Sequence, residues 1–278
     1  MNVFIPARKI FDFYINSSIH VALAVTAFTG ITLLNFEISP DAGLLLFIFF
    51  GTVTGYNFVK YAGIAKFHQL DDLSKNLRVI FSFSILCFTG MIYYALQQPV
   101  SVIIAAGLMG VLTLLYALPV YREKNIRSFT GVKIFVIAFV WAGATVILPV
   151  TGATGINWHT DVFLEFIQRM LFVIVLTLPF EIRDLRFDSV QLGTIPQLIG
   201  IRKTRIAGIV ILLAVVFIEF FKTQSGAGEM AVLVFAAILT AVLVQKSVLR
   251  QNRYYASFWV EGVPVVWWVL LFLIKSIV

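Results

Sequence analysis

The stretch Phe163-Leu164-Glu165-Phe166-Ile167-Gln168-Arg169-Met170-Leu171-Phe172-Val173-Ile174-Val175-Leu176-Thr177-Leu178-Pro179-Phe180-Glu181 is apolar over most of its length. It then breaks into charge: Ile182-Arg183-Asp184-Leu185-Arg186-Phe187-Asp188. A run of this kind is long enough to cross a bilayer core, for which roughly 20 predominantly apolar residues suffice. Working outward, eight more runs of the same kind appear, and the nine spans are 15–36, 42–62, 78–97, 100–121, 131–150, 163–181, 206–222, 229–248 and 257–277. Turn chemistry separates them, as at Ser39-Pro40-Asp41, Gln97-Gln98-Pro99, Thr151-Gly152-Ala153-Thr154-Gly155 and Gln224-Ser225-Gly226. Of the 278 residues 60% are hydrophobic and 13% charged, where a soluble domain carries about a quarter charged. Lipid offers the backbone no hydrogen-bond partner, so such runs must be helices. The short alternating segments of a membrane barrel are missing. The expectation is an all-α, polytopic membrane protein with nine transmembrane helices, forming a single transmembrane domain over 1–278.

Charge placement orients the chain. Of the 21 Lys and Arg residues, 18 fall on one side of the nine-span arrangement: Arg8 and Lys9; Lys60, Lys66, Lys75 and Arg78; Arg122, Lys124, Arg127 and Lys133; Arg183, Arg186, Arg202, Lys203 and Arg205; Lys246, Arg250 and Arg253. Lys222 and Lys275 fall on the other, and Arg169 lies within a span. The excess of basic residues in cytoplasmic loops puts the N-terminus in the cytoplasm, and the expected location is the cell (inner) membrane. The net charge of +7 is thereby accounted for by topology, so the expected partner is the lipid bilayer and not nucleic acid. The N-terminal stretch lacks a small-residue cleavage site and reads as an interfacial segment feeding a retained first helix. Cys87 has no second cysteine to pair with.

The chemistry concentrates at the end of the sixth span. Glu181, Asp184 and Asp188 stand at i, i+3 and i+7, a spacing that on a continuous helix places three carboxylates on one face. Their mutual repulsion is relieved in one of two ways. Mg²⁺ binds a few carboxylates and completes its shell with water and phosphate oxygens. Alternatively, Arg183, Arg186 or Arg202 neutralises the acids in local salt bridges.

With the segment Gly193-Thr194-Ile195-Pro196-Gln197-Leu198-Ile199-Gly200 that follows, the stretch resembles the second acidic motif of the UbiA superfamily of intramembrane prenyltransferases, D-x-x-D-x-x-x-D and its downstream G-x-x-T-L-P-x-x-L-G-like segment. Tyr116-Ala117-Leu118-Pro119 with Arg122, Lys124 and Lys133 is similar to the family's Y-S-x-P segment and its basic residues. Trp141 falls where many members carry tryptophan, and Glu261-Gly262 is similar to a D-G pair in the last helix of some members. The resemblance runs from Asn57 to Gly262. It implies a UbiA-like bundle in which Mg²⁺ on Glu181, Asp184 and Asp188 grips an isoprenyl diphosphate. Asp184, Asp188 and Asn57 would be catalytic, and Lys60, Arg122, Lys124, Arg183 and Tyr116 would bind substrate.

One departure bears on this. The family's first motif, N-D-x-x-D-x-x-x-D, is here Asn57-Phe58-Val59-Lys60-Tyr61-Ala62-Gly63-Ile64-Ala65. The asparagine is kept and three carboxylates are replaced by Phe58, Tyr61 and Ala65. Asp71 and Asp72 follow in the loop and read as solvated. Lys60 either snorkels to the interface or binds phosphate as a point charge. Three functions remain in view: transfer of a prenyl group from an isoprenyl diphosphate to a lipid-soluble or aromatic acceptor; a non-catalytic relative binding an isoprenoid or quinone-like lipid; and a transporter, which the clustering of polar residues at one end disfavours. His20 is expected in an interhelical contact and Glu165 with Arg169 in an ion pair. Glu219 lies near the outer end of its span, and Glu261 is placed to face a cavity.

Reporter fusions after residues 125 and 155 should report opposite sides of the membrane. The same side for both would contradict the nine-span arrangement.

Overall fold

The computed structural model describes residues 4–65, 75–118, 131–153, 160–187, 193–223 and 225–277, with side chains described for 8–61 and, within these ranges, from 77 onward. Asp188, Arg122 and Lys124, along with Asp71 and Asp72, lie outside the described residues. Every regular element among those described is helical: α1 (Phe4–Asn16), α2 (Ile19–Asn35), α3 (Ala42–Ala65), α4 (Lys75–Ala95), α5 (Val100–Ala117), α6 (Val132–Ala142), α7 (Leu148–Gly152), α8 (Thr160–Asp184), α9 (Ile195–Glu219), α10 (Ala227–Lys246) and α11 (Val263–Ile277). A π-helical turn, Gly143–Ile147, joins α6 to α7, and a second, Tyr255–Val260, precedes α11.

These helices cover the apolar runs, and their surfaces explain why the runs are apolar. Ile85 and Leu86 on α4, Leu108 on α5, and Leu213 and Phe217 on α9 are all exposed; a belt of this size is stable against lipid and unstable against water. Hydroxyls within the helices turn inward on their own backbone: Thr29, Thr52, Thr113 and Thr240 each donate to the carbonyl four residues earlier, so none is left bare in hydrocarbon. Among the described residues, seven spans are long and apolar enough to cross a membrane. An eighth is added if α1 and α2, bent by 56° at their junction, count together. The protein is therefore a multi-pass membrane protein. The expected span 206–222 overlaps α9 as far as Glu219 and runs three residues beyond its end; the first half of α9 carries Arg202, Lys203 and Arg205.

Two breaks in the helices have local causes. Between α1 and α2, Ser18 takes a positive φ of 64°, a region that costs most non-glycine residues about 1 kcal/mol or more. In α9, Gly200 has φ 78° and ψ 157°, a conformation open to glycine and to little else. Close packing of α8, α9 and α10 centres on Gly208, where an added Cβ would stand 3.0 Å from Leu178 and 3.3 Å from Val244.

The expected pair of Glu165 and Arg169 forms, within a larger buried network. Arg169 is 1% exposed. Its guanidinium donates to Glu165 at 2.5 Å, to the Phe28 carbonyl at 2.6 Å and to Thr32 at 3.3 Å, and it stacks 4.4 Å over the Phe28 ring. Lys222 donates to Glu165 and Gln168 and pairs with Glu219. Glu219 also accepts from Gln168 and Ser225. Every charge in the group has an opposite partner, which is the condition for keeping charges out of water. This network joins α2, α8 and the turn after α9, opposite the end that carries Lys60 and Arg183.

Replacing Arg169 with leucine leaves Glu165 short of one partner and takes the guanidinium from the Phe28 carbonyl, which keeps the Thr32 hydroxyl. The variant should lose about 3–5 kcal/mol of stability, read as a fall in unfolding midpoint in detergent. The exposed Lys203→Leu should change little by comparison. Equal effects would contradict the structural role of the network.

Candidate functional site

Between α2, α3, α4, α5 and α6 the bundle leaves a chamber of about 600 Å³ with almost wholly apolar walls. Its volume comes partly from missing side chains. Gly51, Gly55 and Gly110 line it, and at Gly55 and Gly110 no atom lies within 4 Å of where a Cβ would stand. Phe58 and Phe88 are on its wall and are also exposed on the outside of the bundle, so the chamber reaches the outer surface. Tyr56, Tyr116 and Trp141 supply its polar fringe. The Tyr56 hydroxyl accepts from Trp141 Nε1 at 2.8 Å, which fixes both rings on the chamber wall. Tyr116, expected to bind substrate, is therefore on that wall.

Lys60 follows Tyr56 by one turn on the same face of α3. It is exposed, and its ammonium donates to the Asn16 carbonyl at 3.1 Å, at the end of α1. The Tyr61 hydroxyl donates to the same carbonyl at 2.8 Å. This is the interfacial anchoring expected of a lysine near a helix end, and it leaves the cation close to the chamber.

Asn57 points elsewhere. It is 3% exposed. Its amide donates to the Ser17 carbonyl at 3.0 Å and to Ser84 at 2.8 Å, and its oxygen accepts from Ser18 at 2.7 Å. The side chain is committed to joining the α1–α2 break to α3 and α4. His20 makes the expected interhelical contact: its Nδ1 accepts from the Tyr14 hydroxyl at 2.6 Å and its Nε2 donates to the Phe258 carbonyl at 2.9 Å.

The acidic segment differs from its expected form. The helix α8 stops at Asp184, and Leu185 to Phe187 form a turn, closed by the Phe187 amide donating to the Asp184 carbonyl at 2.8 Å. The single helical face drawn through Glu181, Asp184 and Asp188 therefore ends at its second member. Each described acid also meets a cation. Glu181, 3% exposed, is 3.0 Å from Lys133 on α6. Asp184 accepts from Arg183 through Nε at 2.7 Å and a terminal nitrogen at 3.2 Å. Arg183 thus closes on the neighbouring acid. Asp184 is salt-bridged by one of the three arginines expected near the acids, while Glu181 is answered by Lys133, which was not among them. The Lys133–Glu181 contact was not visible in the sequence, because the two residues meet only through the packing of α6 on α8.

The described residues do not fit a two-ion Mg²⁺ site. At the first-motif positions Phe58 and Tyr61 offer no carboxylate, and Tyr61 is tied to Asn16. Glu181 and Asp184 are already neutralised by side chains. Among the described residues no three His, Cys, Asp or Glu side chains gather within reach of one ion. The structure brings Tyr56, Tyr116 and Trp141 together on the chamber, with Lys60 one turn beyond Tyr56; it directs Asn57 into helix packing.

No family model matches the sequence, and no curated protein is similar to it in sequence. Solved structures do share the fold. A UbiA homologue from Aeropyrum pernix K1 superposes with a TM-score of 0.67 at 13% identity, over 94% of this chain and 99% of that one. A UbiA homologue from Archaeoglobus fulgidus bound to GPP and Mg²⁺ gives 0.64 at 12% identity, over 95% and 99%. A digeranylgeranylglyceryl phosphate synthase gives 0.59 at 14% identity, over 97% and 99%. The chain has the UbiA-superfamily fold along nearly its whole length.

Removing the Asn57 amide leaves the Ser17 carbonyl and the Ser18 hydroxyl without this partner, and it takes one of two contacts from Ser84, which still donates to the Ile80 carbonyl. Asn57→Ala should lower stability by about 1–3 kcal/mol, the cost of leaving buried polar groups unpaired, and denaturant unfolding in detergent reads this directly. An unchanged midpoint would contradict the packing role.

Proposed function

We propose that this chain, as a single transmembrane domain, holds the tail of an isoprenyl diphosphate in the apolar chamber and transfers its prenyl group to a lipid-soluble or aromatic acceptor. The observation that carries the reading is the chamber itself. It has the size and lining of a small-molecule site, and its polar fringe of Tyr56, Tyr116 and Trp141 leads to Lys60. An isoprenoid chain would bury its apolar surface there while its diphosphate stays at the basic end of the bundle. In this reading all nine spans cross, α9 included, and the basic end faces the cytoplasm from the cell (inner) membrane.

The chemistry asked of the protein is electrostatic. As the allylic C–O bond breaks, negative charge gathers on the departing diphosphate, and cations fixed beforehand lower the barrier. Lys60 and Arg183 are the described cations best placed for this, and Arg122 and Lys124 join them by resemblance. Mg²⁺, if bound at Asp184 and Asp188 with Glu181 as support, would add neutralising charge on the leaving group. A two-ion arrangement does not suit this donor set, so side-chain cations bear more of the load than in a protein with both acidic motifs.

A second reading has its own observation. The replacement of three carboxylates by Phe58, Tyr61 and Ala65, with Glu181 and Asp184 closed on Lys133 and Arg183, favours a non-catalytic relative that binds an isoprenoid or quinone-like lipid. Binding and turnover separate the two.

Titration of geranylgeranyl diphosphate into purified protein should show saturable binding, weakened about ten- to a hundredfold in Lys60→Ala by loss of one charge-assisted contact. Asp184→Asn releases Arg183 and should keep or tighten the binding measured without Mg²⁺. No binding by the wild type contradicts the prenyl-donor reading. Binding with no turnover on any phenolic or lipid alcohol acceptor supports the non-catalytic relative.

Gly55→Phe fills the chamber where nothing now stands. It should weaken geranylgeranyl diphosphate much more than dimethylallyl diphosphate, with the unfolding midpoint little changed. Equal loss for both ligands would place the tail elsewhere.

A further inference from the structure

The chamber wall carries few polar groups. Thr52, Thr54 and Thr113 line it, and each donates back to the carbonyl four residues earlier, at 2.7, 2.8 and 2.8 Å. The Trp141 N–H is taken up by the Tyr56 oxygen at 2.8 Å. The Tyr56 hydroxyl is in a different state. Its oxygen accepts from Trp141, but its own proton meets no acceptor among the described residues. Trp141 cannot relieve it, because an indole N–H only donates. A phenol keeps its proton at neutral pH, its ordinary pKa being about 10, and a donor left unpaired among apolar walls is unfavourable. The direction of the hydroxyl is set by the pair: the two rings stand at 71° with their centres 6.2 Å apart, and Trp141 is itself buried.

Tyr56 also stands between the apolar chamber and a cation. The helix α3 runs from Ala42 to Ala65, and it borders the chamber from Phe47 to Val59. At a rise of 1.5 Å per residue, Phe47 lies about 14 Å from Tyr56 along the helix axis, and Lys60 lies about 6 Å from it in the other direction. Tyr56 and Lys60 share a face, being one turn apart. Lys60 gives one of the three N–H donors of an ammonium to the Asn16 carbonyl, which leaves two for a ligand. A molecule with its tail in the chamber and an anionic head at Lys60 must pass from apolar to charged at the level of Tyr56. In an isoprenyl diphosphate the atom at that passage is the ester oxygen that joins the allylic carbon to phosphorus. It is an acceptor with no proton of its own, and an acceptor is what the Tyr56 hydroxyl lacks.

We infer that Tyr56 donates its phenolic hydrogen to the ester oxygen of the isoprenyl diphosphate, with Trp141 holding the hydroxyl in place. This contact rests on the prenyl-donor reading above and sits at the bond that reacts. In the transfer, the bond from the allylic carbon to this oxygen breaks, and its electron pair stays on the oxygen. The same carbon bonds to the acceptor, whose proton passes to the released diphosphate. The phenolic proton remains on Tyr56. Its hydrogen bond strengthens as negative charge gathers on the oxygen, because bonds to ionised acceptors are the stronger ones.

The test uses the full chain in nanodiscs and two probes: geranylgeranyl diphosphate, and its phosphonate analogue in which a methylene replaces the ester oxygen. The analogue keeps the tail and the charged head and loses the acceptor. Wild type should bind the diphosphate roughly tenfold tighter than the analogue, as expected for one hydrogen bond at that oxygen. Tyr56→Phe should erase most of that difference by weakening the diphosphate alone. Its affinity for the analogue should stay at the wild-type level, which also shows that the variant is folded. Equal affinity of wild type for the two probes overturns the Tyr56 contact and leaves the prenyl-donor reading standing, as does a Tyr56→Phe protein that keeps the full preference. If Tyr56→Phe binds neither probe, Trp141→Phe takes its place: it keeps the hydroxyl, frees it from its tether and should shrink the preference, and an unchanged preference overturns the contact. Wild type that binds neither probe overturns the contact and the prenyl-donor reading together. A quinone with a ten-carbon tail that wild type then binds and Tyr56→Phe does not would place a carbonyl at this hydroxyl instead.

Discussion

The amide of Asn57 meets the chain where it turns from the interfacial α1 into the membrane-crossing α2. At that turn Ser17 exposes a carbonyl that helix geometry leaves unpaired, and Ser18 brings a buried hydroxyl that needs an acceptor. Neither is tolerable in a place that water cannot reach. Asn57 answers both from α3 and takes Ser84 of α4 with its remaining donor. This arrangement sets the distance between the α1–α2 bend and the end of α3. The neighbouring residues on α3 then fall into fixed places: Tyr56 on the chamber wall and Lys60 against Asn16. The position of the polar groups around the chamber therefore depends on an amide that itself takes no part in the chamber.

A second constraint is charge neutrality in a medium of low dielectric. At the end opposite Lys60, Arg169, Lys222, Glu165 and Glu219 form a closed set, and the cost of burying them is offset by mutual contact. At the basic end the acids are also answered, Glu181 by Lys133 and Asp184 by Arg183.

Much of this was legible beforehand, and the limits have physical causes. Helical crossing segments follow from the length of the apolar runs, and both the Glu165–Arg169 pair and the His20 contact follow from spacing and burial. The motif around Glu181 and Thr194 pointed to the fold that the solved UbiA homologues share. Three features were hidden. The end of α8 at Asp184 depends on a local turn that spacing alone cannot show, so the face drawn through Asp188 was too long. The partner of Glu181 was out of view because Lys133 is distant in sequence and meets it only through helix packing. Asn57 resembled a catalytic residue by position, while its contacts are set by Ser17, Ser18 and Ser84, none of which forms a motif. Tyr56 had a signal that could have been read: it stands one turn before Lys60 on the same face.

The account turns on the chamber between α2 and α6 being the seat of an isoprenoid tail. A photoreactive isoprenyl diphosphate, with a diazirine near the end of its tail, measures this most directly once the labelled residues are mapped by peptide sequencing. Labelling should concentrate on the wall segments around Gly51 to Tyr56 of α3 and Met109 to Tyr116 of α5, and unlabelled geranylgeranyl diphosphate should suppress it. Labelling confined to the outward faces, such as Ile85 and Leu86 of α4 or Leu213 and Phe217 of α9, and insensitive to competitor, would contradict it.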